Sequence, residues 1–215
     1  MSRPRRFALP LAPWGEMRRA FRWQMPESFN IARVCCDEWV DLSPDKVAIV
    51  QVSGDNTRRE WRYSTLRAAA NRLANVLAAL GVRRGDRVAV LLGQRAECMV
   101  AHLAICKLGA VALPLFGLFG PDALALRLAD SGAVAALTDA AGADKLAAIR
   151  DGLPALAHVL SLDGPGAGGA VDWPELAARA SDRFETAATG PDDPALMIYT
   201  SGTTGAPKGV LHGHR

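Results

Sequence analysis

The chain has little of several features that mark particular protein classes. Its four cysteines form no C-x-x-C pair and have no histidine at zinc-ligand spacing, which argues against common structural zinc sites. The apolar stretch 110–119 is too short to span a bilayer and contains Pro114 and Gly117. No internal repeat or heptad run is present, and the formal net charge is only +3. With 215 residues, half of them apolar, the chain is expected to fold as a globular protein without a membrane span and without a nucleic-acid partner.

Charge is nevertheless concentrated at the N-terminus. The first 22 residues hold six arginines and one acid, around an apolar patch at 7–14. Two prolines break this patch and arginines follow it, so it does not match a signal peptide. We expect residues 1–28 to form a basic, poorly ordered extension that is solvated or docks on the fold or a partner. The scarcity of cysteine predicts a reducing compartment, the cytoplasm. All four cysteines are predicted to be buried small apolar residues on helices: Cys35, Cys36, Cys98 and Cys106.

From residue 29 onward, the hydrophobic pattern predicts an α/β fold. A helix through residue 39 precedes a β-hairpin over 46–63, and an amphipathic helix from Ser64 to Leu80 ends at Gly81. Strands are then predicted at 87–92, 110–113, 133–138 and 158–162, with helices at 96–108, 122–130, 143–150 and 173–180. Such alternation is typical of a mostly parallel sheet flanked by helices. A polar linker over 184–194 leads to an apolar strand at 195–198.

The segment that follows this strand carries the clearest chemical signal. It reads Tyr-Thr-Ser-Gly-Thr-Thr-Gly-Ala-Pro-Lys-Gly-Val over residues 199–210. Glycines let backbone N–H groups approach an anion, hydroxyl groups donate further hydrogen bonds, and a lysine adds a positive charge. The pattern predicts a polyphosphate-binding loop; a surface turn rich in Ser, Thr and Gly is the alternative. It differs from a Walker A loop because Pro207 precedes Lys208 and the residues after the lysine are predicted to be extended.

Three other patterns fail as functional motifs. Residues 164–169 satisfy G-x-G-x-x-G, but helical sequence begins only near Trp173, too late for a dinucleotide fingerprint. Ser43 to Lys46 matches S-x-x-K without the K-T-G triplet of penicillin-binding enzymes. His212 and His214 lack a third metal ligand, and packing or hydrogen bonding is the favoured interpretation.

The 199–210 segment resembles the adenylate-forming (AMP-binding) superfamily, which includes acyl-CoA synthetases, adenylation domains and luciferases. It reproduces the family signature Y-T-S-G-[ST]-T-G-x-P-K-G-V without a mismatch. Residues 30–50, 61–66, 85–90 and 107–115 resemble earlier family segments. Phe119 to Pro121 with Arg127, Asp130 and Ser131 resembles the acetyl- and medium-chain acyl-CoA synthetase branch. The resemblance implies that residues 29–215 are the N-terminal part of the family's large domain.

The resemblance also implies the chemistry. A carboxylic acid would be activated by ATP as an acyl-adenylate and then transferred to coenzyme A as a thioester. Lys208 is the implied catalytic residue, and magnesium would bridge the phosphates, with Thr200 as a candidate to help hold it. The implied phosphate-binding residues are Thr200, Ser201, Gly202, Thr203, Thr204, Gly205, Ala206, Pro207 and Lys208.

Later motifs of the family are absent from these 215 residues. We therefore expect a fragment that is inactive alone and exposes an apolar sheet edge at its end. Two alternatives stay open: an adenylation domain that loads a carrier protein, and a non-catalytic nucleotide-binding protein. The sequence does not define the acyl chain length or the oligomeric state.

Overall fold

The computed structural model describes residues 12–22, 25–200, 205 and 207–215. Its centre is a seven-stranded sheet with the order β7-β6-β5-β3-β4-β8-β9, and a separate hairpin pairs β1 (Val47–Val52) with β2 (Arg58–Arg62). The large sheet consists of β3 (Arg87–Leu91), β4 (Val111–Pro114), β5 (Ala135–Thr138), β6 (His158–Ser161), β7 (Val171–Asp172), β8 (Pro194–Thr200) and β9 (Lys208–Gly213). Every pairing within it is parallel except β8–β9. The predicted α/β class with a mostly parallel sheet is confirmed.

Helices cover both faces of this sheet. The α-helices are α1 (Trp14–Ala20), α2 (Glu38–Leu42), α3 (Tyr63–Ala79), α4 (Ala96–Lys107), α5 (Pro121–Ser131), α6 (Ala140–Ala147) and α7 (Trp173–Arg179). A π-helical segment, Arg33–Asp37, precedes α2, and short 3-10 segments lie at Arg150–Gly152 and Ala167–Gly169. No helix in the described part of the chain is both long and apolar enough to cross a membrane.

Two apolar cores result from the alternation of side chains along the strands. Val88 and Val90 of β3 face one core with α3 and α4, whereas Ala89 and Leu91 face the other with α5 and α6. Successive side chains of a strand point to opposite faces, so continuously apolar strands are needed where both faces are covered. This explains why β3 and β5 are buried at almost every position.

The predicted polar linker at 184–194 packs more closely than its composition suggests. Thr189 is buried and its carbonyl accepts a hydrogen bond from the Phe29 amide at 2.7 Å, while Ala187 N–H donates to the Lys107 carbonyl at 2.8 Å. The Asn30 side chain donates to Cys106 O at 2.8 Å and Ala187 O at 3.3 Å. The segment therefore fastens the N-terminal helical region to the end of α4.

Some local predictions differ from the structure. The helix α1 lies inside the extension predicted to be poorly ordered, yet it buries no residue, and Trp14 is 73% exposed. The sequence pattern also missed the short strand β7 and placed α6 three residues late, because Asp139 caps the helix by accepting a hydrogen bond from Gly142 N–H. Residues 1–11, 23 and 24 lie outside the described residues, and the boundary at residues 28 and 29 stays a prediction.

Candidate functional site

The candidate site is built on the hairpin of β8 and β9. Thr200, the last residue of β8, pairs with Lys208, the first residue of β9. Seven residues, 201–207, connect them. Because β8 runs parallel to β4, this connection lies at the same sheet edge as the carboxyl ends of β3, β4 and β5. Ligands of open α/β sheets bind at this edge.

The predicted phosphate-binding residues divide into two groups. Thr200, Gly205, Pro207 and Lys208 belong to the described chain, whereas Ser201, Gly202, Thr203, Thr204 and Ala206 lie outside it. Thr200 and Lys208 are exposed and meet across the hairpin. Lys208 carries the positive charge of this group at the first position of β9. Gly205 has a φ of 120°, a conformation that favours glycine. Phosphate binding by this group stays a prediction.

Tyr199 and Gly209 stabilise the base of the hairpin. They are paired residues, and a Cβ atom added at Gly209 would lie 2.6 Å from Met197 Cε and 3.0 Å from Tyr199 Cζ. A larger residue at position 209 would therefore require the Met197 methyl group to move and the Tyr199 ring to shift by a few tenths of an ångström. The glycine after the lysine serves strand packing, a role that the sequence analysis did not assign.

A polar cluster from α5 contacts the same tyrosine. The Tyr199 hydroxyl donates a short hydrogen bond to Asp130 Oδ2, and the Arg127 guanidinium lies 5.7 Å from the centre of the Tyr199 ring. Burial, followed by the hydrogen bond to Asp130, raises the pKa of Tyr199 well above its usual range. The sequence analysis had singled out Arg127 and Asp130 as marks of resemblance only. Their contact with Tyr199, near the end of β8, depends on how α5 packs against the sheet, which no local pattern reveals.

The segment that joins β4 to α5 lies at the same sheet edge. Lys145 of α6 donates to the carbonyls of Gly117 at 2.6 Å and Phe119 at 3.3 Å. Phe116 and Leu118 are 61% and 83% exposed although both are large and apolar. A lysine thus fixes a backbone segment that presents apolar side chains to solvent near the candidate loop.

A groove of about 730 Å³ opens beside this segment. Its walls come from β1, from residues 92–95 after β3, from the first half of α4 and from residues 116–118. His102 of α4 lines it, and burial lowers the pKa of that imidazole. Gln51 of the hairpin accepts a hydrogen bond from Ala96 N–H at 3.1 Å and so closes one end against α4. The sequence analysis did not predict this groove.

The structure also decides between several earlier alternatives. His214 is buried and its Nδ1 accepts a hydrogen bond from the Ile31 amide at 3.1 Å, as the hydrogen-bonding interpretation predicted. Among the described residues, no group of three or more His, Cys, Asp or Glu side chains could hold a metal ion. The glycine loop at 164–169 joins β6 to β7 and is not followed directly by a helix, since α7 begins at Trp173. All four cysteines are free and helical, but Cys35 is exposed rather than buried.

These features define a class: an α/β protein with a parallel sheet and a glycine- and hydroxyl-rich connection at the edge where ligands of such sheets bind. The chain belongs to the AMP-binding enzyme family, which matches residues 36–215.

Relatives agree with this assignment. The chain is 32% identical over 213 residues to the acetyl-coenzyme A synthetase of Escherichia coli K12, a match that covers 90% of this chain and 32% of that protein. A Brucella canis acyl-CoA synthetase structure matches with a TM-score of 0.79 and 31% identity, covering 96% of this chain and 37% of that one. The anthranilate CoA ligase AuaEII, solved with anthranoyl-AMP, matches with a TM-score of 0.81 and 27% identity, covering 88% and 36% of the two chains. The chain spans about a third of the length of these relatives.

Proposed function

We propose that this chain contributes the triphosphate-binding part of an ATP-dependent carboxylate–CoA ligase. The observation that carries the proposal is the exposed pair of Thr200 and Lys208 at the base of the 201–207 connection, in a chain of the AMP-binding family. The acetyl-CoA synthetase and acyl-CoA synthetase names of the relatives support the reaction class. A cytoplasmic location belongs to the same proposal, supported by four free cysteines.

The proposed reaction has two steps. A carboxylate oxygen attacks the α-phosphorus of ATP, which forms an acyl-adenylate and releases pyrophosphate. The thiolate of coenzyme A then attacks the acyl carbon, forms the thioester and releases AMP. AMP is a far better leaving group than the oxide of a free carboxylate, so the enzyme's task is chiefly to position the reactants and neutralise charge.

The loop residues would act in the first step. Backbone amides and hydroxyl groups from Thr200 to Gly205 would contact the β- and γ-phosphates, and Lys208 would stabilise the charge that builds up on departing pyrophosphate. Magnesium would supply charge neutralisation there, and Thr200 would help hold it. The chain fits this role because Thr200, at the end of β8, is exposed and carries a hydroxyl oxygen, a ligand type that magnesium accepts.

The test uses the protein as its gene encodes it. Carboxylate-dependent exchange of pyrophosphate into ATP, measured across a panel of carboxylic acids, would identify the adenylation step and its substrate. Lys208→Met is expected to slow adenylate formation by about 100-fold while it slows thioester formation from supplied acyl-adenylate much less. Equal slowing of both steps in single-turnover experiments would contradict the assigned role of Lys208.

A further inference from the structure

Two charged residues of α5, Arg127 and Asp130, contact Tyr199 of the β8–β9 hairpin. Arg127 is largely buried, its Nη1 donates to Ala123 O at 2.7 Å, and its guanidinium lies 4.2 Å from the centre of the Phe119 ring. Arg127 Nε is buried with no hydrogen-bond partner among the described residues. Burying a guanidinium with an unpaired N–H is unfavourable, so its retention here calls for a local reason.

Tyr199 is the second aromatic side chain, after Phe119, that contacts this guanidinium. Its ring lies within 5.7 Å of the Arg127 guanidinium, a distance at which a cation and an aromatic face attract each other. Its hydroxyl donates to Asp130, one turn further along α5. The ring thus contacts Arg127 and Asp130 on the helix side and Gly209 on the strand side.

Tyr199 lies beside both residues that flank the connection, Thr200 and Lys208. Thr200 directly follows Tyr199 in the chain, and Gly209, the strand partner of Tyr199, directly follows Lys208. A rotation or shift of the tyrosine would therefore move the two groups proposed to hold phosphate. Displacements of about 1 Å are enough to impair phosphoryl chemistry, because it depends on positioning.

We propose that Arg127 and Asp130 are positioning residues for the phosphate-binding loop and act through Tyr199. The inference rests on the proposed function for its catalytic meaning, but the mechanical link from α5 to the hairpin stands on the contacts alone. The helix orients the tyrosine, and the tyrosine fixes the last pair of residues of β8 and β9.

The experiment compares two variants with matched controls in the full-length protein that the gene encodes. Tyr199→Phe removes the hydroxyl that donates to Asp130. Asp130→Asn replaces the carboxylate that accepts this hydrogen bond by a neutral amide, which accepts a weaker one. Tyr63→Phe is the control for the first variant, since Tyr63 is the other tyrosine of these 215 residues and stacks on Trp39. Asp122→Asn is the control for the second variant, since Asp122 lies in the first turn of the same helix.

Two quantities are measured: the dissociation constant for magnesium tripolyphosphate by calorimetry, and amide hydrogen exchange at Thr200 and residues 208–210. We expect Tyr199→Phe and Asp130→Asn each to weaken tripolyphosphate binding by about three- to tenfold, as for the loss of one hydrogen bond. Exchange should accelerate at the hairpin end but not in β3 or α4. Both controls should match the unmodified chain.

The outcomes separate the inference from the proposed function. If the unmodified chain binds tripolyphosphate and both test variants bind equally well, the inference is wrong and the proposed function stands. If the unmodified chain does not bind tripolyphosphate, the proposed function fails, and exchange at the hairpin end still decides the inference. Acceleration confined to that end supports it. Unchanged exchange, or uniform acceleration throughout the chain, overturns it.

Discussion

At the residue scale, Lys107 shows how much a single buried charge constrains this fold. Its side chain is 1% exposed, and its ammonium contacts both Asp37 carboxylate oxygens, at 2.5 and 2.6 Å, and Thr186 Oγ1 at 3.2 Å. Thr186 also donates to Asp37 at 2.9 Å. Because a buried ion pair is tolerated only when its hydrogen bonds are satisfied, this arrangement fixes the N-terminal helical region, α4 and the 184–194 segment relative to one another.

Asp37→Ala should therefore be strongly destabilising. The substitution leaves the Lys107 ammonium buried without its carboxylate, and we expect the free energy of unfolding to fall by about 3–5 kcal/mol. Glu175→Ala removes the partner of Arg179 in an exposed pair on α7 and should change stability by about 0–1 kcal/mol. Urea denaturation of both variants is the measurement. Similar losses in the free energy of unfolding of the two variants would show that leaving Lys107 buried without its carboxylate is not what destabilises the protein.

His214 should make stability depend on pH. Burial, reinforced by Arg84 and opposed by Asp193, lowers the pKa of His214, so the folded protein holds the imidazole neutral. The unfolded chain takes up a proton near pH 6.5, and stability is therefore full above that pH and falls as the pH drops below it. His214→Asn should lose less stability between pH 7.5 and 5.5 than the unmodified chain. The same pH dependence in both chains would contradict this assignment; urea midpoints measure it.

At the scale of elements, the start of α6 shows why some boundaries follow from sequence and others do not. The N-cap by Asp139 is a local signal that could have been read from the sequence. The need for glycine at position 142 could not, because it comes from β5: a Cβ atom there would lie 1.8 Å from Thr138 Oγ1, which donates to Leu91 O at 3.0 Å.

Gly142→Ala should accordingly destabilise the protein by about 1–3 kcal/mol, since the added methyl group must displace a buried, hydrogen-bonded threonine. Gly152→Ala provides the control, as a Cβ atom at that exposed position meets nothing within 4 Å. Thermal unfolding of the two variants tests the difference. A Gly142→Ala chain as stable as Gly152→Ala would mean that Thr138 can move freely.

The same division applies to the larger elements. The strong helical period of α3 and the continuous apolar run of β3 predicted their existence and type, and both are confirmed. The pairing of β8 with β4 could not be predicted from local pattern, because the paired residues, Ala112 and Leu196, are far apart in the sequence. For the candidate site, the motif revealed the loop, whereas the contact of Tyr199 with Asp130 spans 69 positions and required the fold.

At the scale of the whole molecule, β9 forms an edge of the seven-stranded sheet. Its Val210 and Leu211 are exposed, in agreement with the expected apolar sheet edge. Unpaired backbone groups beside apolar side chains favour pairing with another chain.

We therefore expect the isolated 215-residue chain to self-associate at raised concentration, and Leu211→Lys to reduce that association. A charge on an edge strand opposes pairing with a second edge. Leu42→Lys is the control because Leu42 is also exposed but ends a helix, α2, and belongs to no strand. Light scattering across a concentration series measures the effect. Equal association of the two variants would rule out β9 as the contact.

The hydrogen bond between Ile31 and His214 joins residues 183 positions apart. During translation, the N-terminal helical region is made early. The acceptor of the Ile31 N–H, the Nδ1 atom of His214, emerges from the ribosome only after nearly all of these residues have been synthesised. Contacts of such long range form late and slowly. The part of the core that this hydrogen bond closes is therefore completed only once β9 has been made, and until then the N-terminal helical region is exposed to non-native association, which is when chaperones would act.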